Sequence, residues 1–137
     1  MNTTKPILLV EDDEVDVMTV KRAIRTLKIG NKLDFAGNGE EAIEYLEDCE
    51  DDLPCIILLD INMPRMNGIE FLSHIKKDER FKRIPVIILT TSQEEQDRYA
   101  SFNLSAAGYM LKPVDFKRFL SMMSAIKNYW SMSEFAS

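Results

Sequence analysis

Apolar residues in this chain fall into short unbroken runs, separated by longer stretches in which they recur every three or four positions. The runs "PILLV" (6–10), "KLDFA" (32–36), "CIILLD" (55–60), "PVIILT" (85–90) and "AAGYML" (106–111) predict five strands. The first, third and fourth have no polar alternation, so neither of their faces is suited to water. They read as strands covered on both sides, the condition of a parallel sheet.

The intervening stretches have helical spacing. Val17, Val20, Ile24 and Leu27 recur at three and four residues, Ala42 and Leu46 at four, and Ile69, Leu72 and Ile75 at three. Each predicts an amphipathic helix of about three turns. Residues 93–104 are mostly polar, with Tyr99, Phe102 and Leu104 as the apolar positions, which predicts a helix with thin core contact. The last helix is the most regular: Phe116, Phe119, Met123, Ile126 and Trp130 step by three, four, three and four, beginning near Asp115 as N-cap. Strand and helix alternating five times predicts an α/β fold with a doubly wound parallel sheet, right-handed crossovers and helices on both faces.

Composition narrows the function. A chain of 137 residues, 45% hydrophobic, supports one domain over 1–137 with a tail from about 131. A net charge of −6 offers none of the basic surface that phosphate backbones or anionic lipids select, so direct nucleic-acid and membrane partners are not expected. The opening "MNTTKPILLVEDD" lacks the apolar stretch of a signal peptide or membrane span, which predicts a cytoplasmic protein. Cys49 and Cys55 have no partners at metal-ligand spacing and read as reduced thiols. The block "EDCEDD" (47–52) reads as a solvated loop, and His74 as a surface residue on the third helix.

The chemistry gathers where strands end. In open α/β sheets, ligands bind beyond the carboxyl ends of the strands, where the strand order reverses. Strand one ends in Glu11, Asp12 and Asp13, strand three in Asp60 and strand four in Thr90 and Thr91; Lys112 and Pro113 follow strand five. Parallel strands bring these to one edge. Crowded carboxylates raise one another's pKa unless a cation sits among them. With oxygen ligands and neither His nor Cys, the ion expected is Mg²⁺ or Mn²⁺. A metal, a Thr hydroxyl and a Lys aimed at Asp60 would suit its carboxylate to attack a phosphoryl donor.

Taken together, "ILLVEDDE", "LLDINMPRMNG", "VIILTTS" and "YMLKP" resemble, in order and spacing, the receiver domain of two-component response regulators across essentially the whole chain. The resemblance implies a flavodoxin-like (βα)5 sheet of order 2-1-3-4-5. It implies that Asp60 accepts a phosphoryl group from a histidine kinase's phosphohistidine, that Asp12 binds Mg²⁺ directly and Glu11 through water, and that the Asn62 backbone carbonyl completes the protein ligands. Asp13 substitutes for Glu11 if the register slips by one. Lys112 would pair with phosphoryl oxygens, and the bond from Lys112 to Pro113 would be cis. Pro64 and Gly68 would shape the loop into helix three, Gly68 by allowing an unusual φ. Thr90 and Tyr109 resemble the family's switch pair, which alters the surface of helix four, strand five and helix five.

Thr91 stands where many receivers carry Ala or Gly, and Asn62 and Ser92 lie where side chains tend to set the rate of self-dephosphorylation. No output domain is expected, so the signal would pass by contact with another protein. The "LTTS" run, the acidic loop before strand three and the aromatic end of the last helix resemble single-domain regulators encoded beside phytochrome-type kinases. Tyr129, Trp130 and Phe135 form a candidate homodimer patch. The rival readings are a Mg²⁺-dependent phosphohydrolase of the haloacid dehalogenase kind, a flavin or nucleotide binder, and a phosphorylation-independent interaction module. The first wants a second Asp where Asn62 stands, and the second wants a glycine-rich loop where "VEDDE" stands.

Overall fold

A computed structural model describes residues 5–90, 94–112 and 116–132, apart from the side chains of Glu95, Arg98 and 129–132. Strands β1 (Ile7–Val10), β2 (Leu33–Ala36), β3 (Ile56–Leu59), β4 (Val86–Thr90) and β5 (Gly108–Leu111) alternate with helices α1 (Glu14–Thr26), α2 (Gly39–Asp48), α3 (Gly68–Lys76), α4 (Glu95–Asn103) and α5 (Phe116–Met132). Every paired strand is parallel, and the order is β2-β1-β3-β4-β5. The flavodoxin-like topology is therefore as the sequence implied. The switch in strand order lies between β1 and β3.

Strand residues alternate between two cores. Leu8, Val10, Ile57, Leu59, Val86 and Ile88 pack with Ala42 and Leu46 of α2 and with Phe71, Leu72 and Ile75 of α3. Ile7, Leu9, Ile56, Leu58, Ile87 and Leu89 pack with Val20, Ala23 and Ile24 of α1 and with Phe119, Met123 and Ile126 of α5. Burial on both faces is why the runs in β1, β3 and β4 show no polar alternation. Edge strand β2 is less covered, and Phe35 lies 40% exposed beneath the Lys21 ammonium, 5.5 Å from the ring centre.

The helix starts differ in strength. Asp13 caps α1 by accepting from the Val15 and Asp16 N–H groups, and Asn38 caps α2 by accepting from Glu41 N–H. Asn67 and Glu70 form a reciprocal capping box on α3. Helix α4 has no side-chain cap bond, and its Tyr99 and Phe102 are exposed at 73% and 52%. It meets the rest of the domain through the buried Ser101, whose hydroxyl is satisfied within the helix by the Asp97 carbonyl, and through Leu104 against the α2/α3 core. The expected N-cap of α5, Asp115, lies outside the described residues.

Two expectations need correction. The acidic block at 47–52 is not wholly loop: Glu47 and Asp48 form the end of α2, and Glu47 receives both terminal nitrogens of Arg80 at 2.7 Å. Gly68 does not have a positive φ; that conformation falls to Arg65, at 62°. Gly68 is required for space, because a Cβ there would lie 2.2 Å from the Asp60 carbonyl oxygen. His74 is exposed, and Cys49 and Cys55 are both free thiols.

Candidate functional site

The strand ladder continues one residue past the strands and thereby aims the acids. Glu11 N–H donates to Ala36 and Asp60 N–H to Val10, at 2.9 and 3.0 Å, while Lys112 N–H donates to Thr90 at 2.9 Å. Alternation then assigns faces. Glu11 continues the row of Ile7 and Leu9, Asp60 that of Ile56 and Leu58, and Lys112 that of Met110, so all three fall on the α1/α5 side. Thr90 continues the row of Val86 and Ile88 on the opposite side, where Tyr109 also packs.

One carboxylate oxygen each from Glu11, Asp12 and Asp60 lies within 4.8 Å of the other two. Glu11 and Asp60 are buried, at 4% and 7% exposure, whereas Asp12 opens to solvent. The Lys112 ammonium contacts Glu11 Oε2 and Asp16 Oδ2, the latter at 2.9 Å, and stands 4.0 Å from Asp60 Oδ2. Asp60 Oδ1 accepts from Ile61 N–H at 2.9 Å, leaving Oδ2 as the oxygen on the lysine side.

Burial dominates the electrostatics. It pushes Glu11 up to about 7, aided by the Asp60 charge and opposed by Lys112. Burial alone would lower the Lys112 ammonium, but its bonds to Asp16 and Glu11 and the charges of Asp60 and Glu11 hold it above its usual value. A divalent cation fits this donor set: three carboxylate oxygens converge, two of them buried, and added positive charge would offset the burial that raises Glu11.

Asp13 belongs to the start of α1, where its carboxylate bonds Val15 and Asp16 N–H, and not to the acid cluster. Asp16 is the partner that sequence reasoning missed. Its position is that of an ordinary first-turn acid of α1, and no spacing in the sequence marks its approach to Lys112. Asn62 lies exposed two residues past Asp60, in the loop that also holds Pro64. Thr90 is fully buried at the end of β4, and Tyr109 is half-buried with its ring 6.4 Å from that of Phe102. Thr91, Ser92 and Pro113, with its expected cis bond, lie outside the described residues, as do Phe135 and the side chains of Tyr129 and Trp130.

Residues 7–124 match the model of the response regulator receiver domain. The chain belongs to that family. Receivers are signalling switches that interact with histidine kinases, and phosphorylation and Mg²⁺ binding are general among them. The receiver is 36% identical to the response regulator Rcp1 of Synechocystis sp. over 133 residues, covering 94% of this chain and 90% of Rcp1. It is 35% identical over 127 residues to a probable methanogenesis regulatory protein, FilR2, of Methanothrix harundinacea, covering 90% of this chain and 82% of that one. Among solved structures, the phosphorylated cyanobacterial phytochrome response regulator RcpA superposes with a TM-score of 0.90 at 31% identity, covering 97% and 99% of the two chains. The Mn²⁺-bound form of Rcp1 superposes at 0.87 and 35% identity with the same coverage. These matches do not favour the phosphohydrolase alternative. Among the described residues, no helix is long and apolar enough to cross a membrane.

Proposed function

We propose that this receiver takes a phosphoryl group from a histidine kinase's phosphohistidine onto Asp60 and responds by altering the surface of α4, β5 and α5. The convergence of Glu11, Asp12 and Asp60 with the Lys112 ammonium beside them carries the reading. Asp60 Oδ2 would attack phosphorus as the N–P bond breaks, and the departing imidazole nitrogen would keep the electron pair and take up a proton. Lys112 would turn to the phosphoryl oxygens. Glu11, Asp12, Asp60 and the Asn62 backbone carbonyl would hold Mg²⁺, with Mn²⁺ as the alternative; the ion would supply positive charge against the crowded carboxylates and the phosphoryl oxygens.

A phosphoryl group adds about −1.5 to −2 charge and new acceptor oxygens. Thr90's hydroxyl would donate to one of them, and the Tyr109 ring would move toward the space it leaves. Their common sheet face, beside α4, supports that pairing. Such coupling is typically worth about 1 to 3 kcal/mol, enough to shift populations without remaking the fold.

The finer assignments follow in the same reading. The 137 residues form one receiver domain, cytoplasmic, with no activity toward other substrates beyond assisting its own phosphorylation and dephosphorylation. Likeness to RcpA supports a phytochrome-type kinase as donor, with a downstream protein as recipient of the signal and the aromatic end of the chain as a homodimer contact.

Intact mass after incubation with Mg²⁺ and acetyl phosphate tests the proposal. One phosphoryl adduct is expected on the wild type, and none on Asp60→Asn or in EDTA. Equal labelling of Asp60→Asn would refute the phosphoacceptor, and steady turnover of phosphate esters would restore the phosphohydrolase.

A further inference from the structure

Lys112 has one ammonium and three carboxylates around it. Two of them hold it: Glu11 and, at 2.9 Å, Asp16 Oδ2. The third, Asp60 Oδ2, lies at 4.0 Å, beyond hydrogen-bond range. Asp16 does not come from the strand edge. It projects from the first turn of α1 and draws the ammonium toward that helix. We propose that Asp16 is a latch that competes with the acyl phosphate for Lys112 and so favours the unmodified protein. The inference rests on the reading of Asp60 as phosphoacceptor.

The competition follows from the sharing of a single cation. A phosphoryl oxygen on Asp60 becomes a further anionic acceptor for the same three ammonium N–H groups, and the pull of Asp16 toward α1 weakens the pairing that oxygen can make. Glu11 belongs to the converging acid cluster, whereas Asp16 does not. A divalent cation would therefore give Glu11 a second partner and leave Asp16 as the acid whose only cation among the described residues is Lys112. Any free energy that the Asp16–Lys112 pair contributes before modification and loses afterwards is subtracted from the drive toward the modified state. The Lys112 side chain is 7% exposed but that of Asp16 is 35% exposed, so the pair is partly screened and its effect is moderate.

Asp16 is accordingly a positioning residue, and a phosphoryl analogue tests it at equilibrium. Beryllofluoride would be titrated in excess Mg²⁺ into the wild type, Asp16→Asn and Glu14→Gln. Asn keeps the size of Asp, and it is the Asp16 backbone N–H that donates to the capping Asp13 carboxylate, so the helix start is retained. Asp16→Asn is expected to bind the analogue about three- to tenfold more tightly. Glu14→Gln removes the same charge from the same exposed helical turn and is expected to stay within about twofold of wild type, because surface charges are screened. An Asp16→Asn protein that binds no more tightly overturns the latch, as does a Glu14→Gln protein showing the same gain. Wild-type protein that takes up no beryllofluoride would strike the Asp60 assignment and the latch with it; a wild type that binds beside an unchanged Asp16→Asn strikes the latch alone.

Discussion

Glu11→Gln is expected to stabilise the protein without metal and to weaken it with metal. In the folded, metal-free protein, burial first, and the Asp60 charge second, raise Glu11 from 4.5 to about 7. Between those values the folded state holds a proton that the unfolded state has released, so stability falls as pH rises through that window. The difference corresponds to about 3 kcal/mol once Glu11 is ionised in both states. Gln resembles the protonated acid and avoids the cost, but gives Lys112 a weaker acceptor, leaving Asp16 as its remaining short contact. The expected net gain at pH 8 is therefore about 1 to 3 kcal/mol, at about 4 °C per kcal/mol for a chain of this length.

The assay is thermal unfolding by circular dichroism from pH 4 to pH 8, in EDTA and again in excess Mg²⁺. Other acids titrate over this range, but their contributions cancel when the variant is subtracted from the wild type. In EDTA the two proteins should converge near pH 4 and separate as pH rises to about 7, with the variant more stable. A ligand bound only to the folded state at a hundred times its Kd adds about 2.7 kcal/mol. The variant lacks one proposed carboxylate ligand and should gain less, so the ranking narrows or reverses. Parallel pH curves in EDTA, or a less stable variant at pH 8, would refute the account of Glu11 as an ion that burial disfavours.

Gly68→Ala should lower stability by about 1 to 3 kcal/mol in urea unfolding, because the new methyl would meet the backbone of Asp60 and Ile61 at 2.2 and 2.8 Å. It should also slow acetyl phosphate labelling, and an unchanged urea midpoint would show that the loop yields freely. Asn67→Ala removes the acceptor from the α3 capping box and should cost about 1 kcal/mol in the same assay while leaving the labelling site intact.

Much of the fold was legible because strand and helix announce themselves locally. Each of the five apolar runs contains its observed strand within two residues at either end, and the helical stripes include the buried Val20 and Ile24 of α1, Ala42 and Leu46 of α2 and Leu72 and Ile75 of α3, though they passed over Ala23 and Phe71. The convergence of Glu11, Asp12, Asp60 and Lys112 was legible for a related reason: parallel strands place their carboxyl ends at one edge, so position in the sequence implies nearness in space. Gly68 was misjudged because sequence cannot tell a glycine needed for its φ from one needed for its missing Cβ. The neighbour that excludes a side chain there is the backbone of the preceding loop.

Sequence alone determined the α/β alternation, the sheet edge at which chemistry gathers and the residue types available there, because these depend on hydrophobic periods and chain order. Tertiary structure decided which acid holds which cation. Asp13 and Asp16 are three residues apart and chemically alike, yet one caps its own helix while the other reaches Lys112, 96 residues away. That choice is made by the packing of α1 and α5 against one face of the sheet. The separation of two charges depends on how helices seat on a shared core, and no local pattern in the chain encodes it.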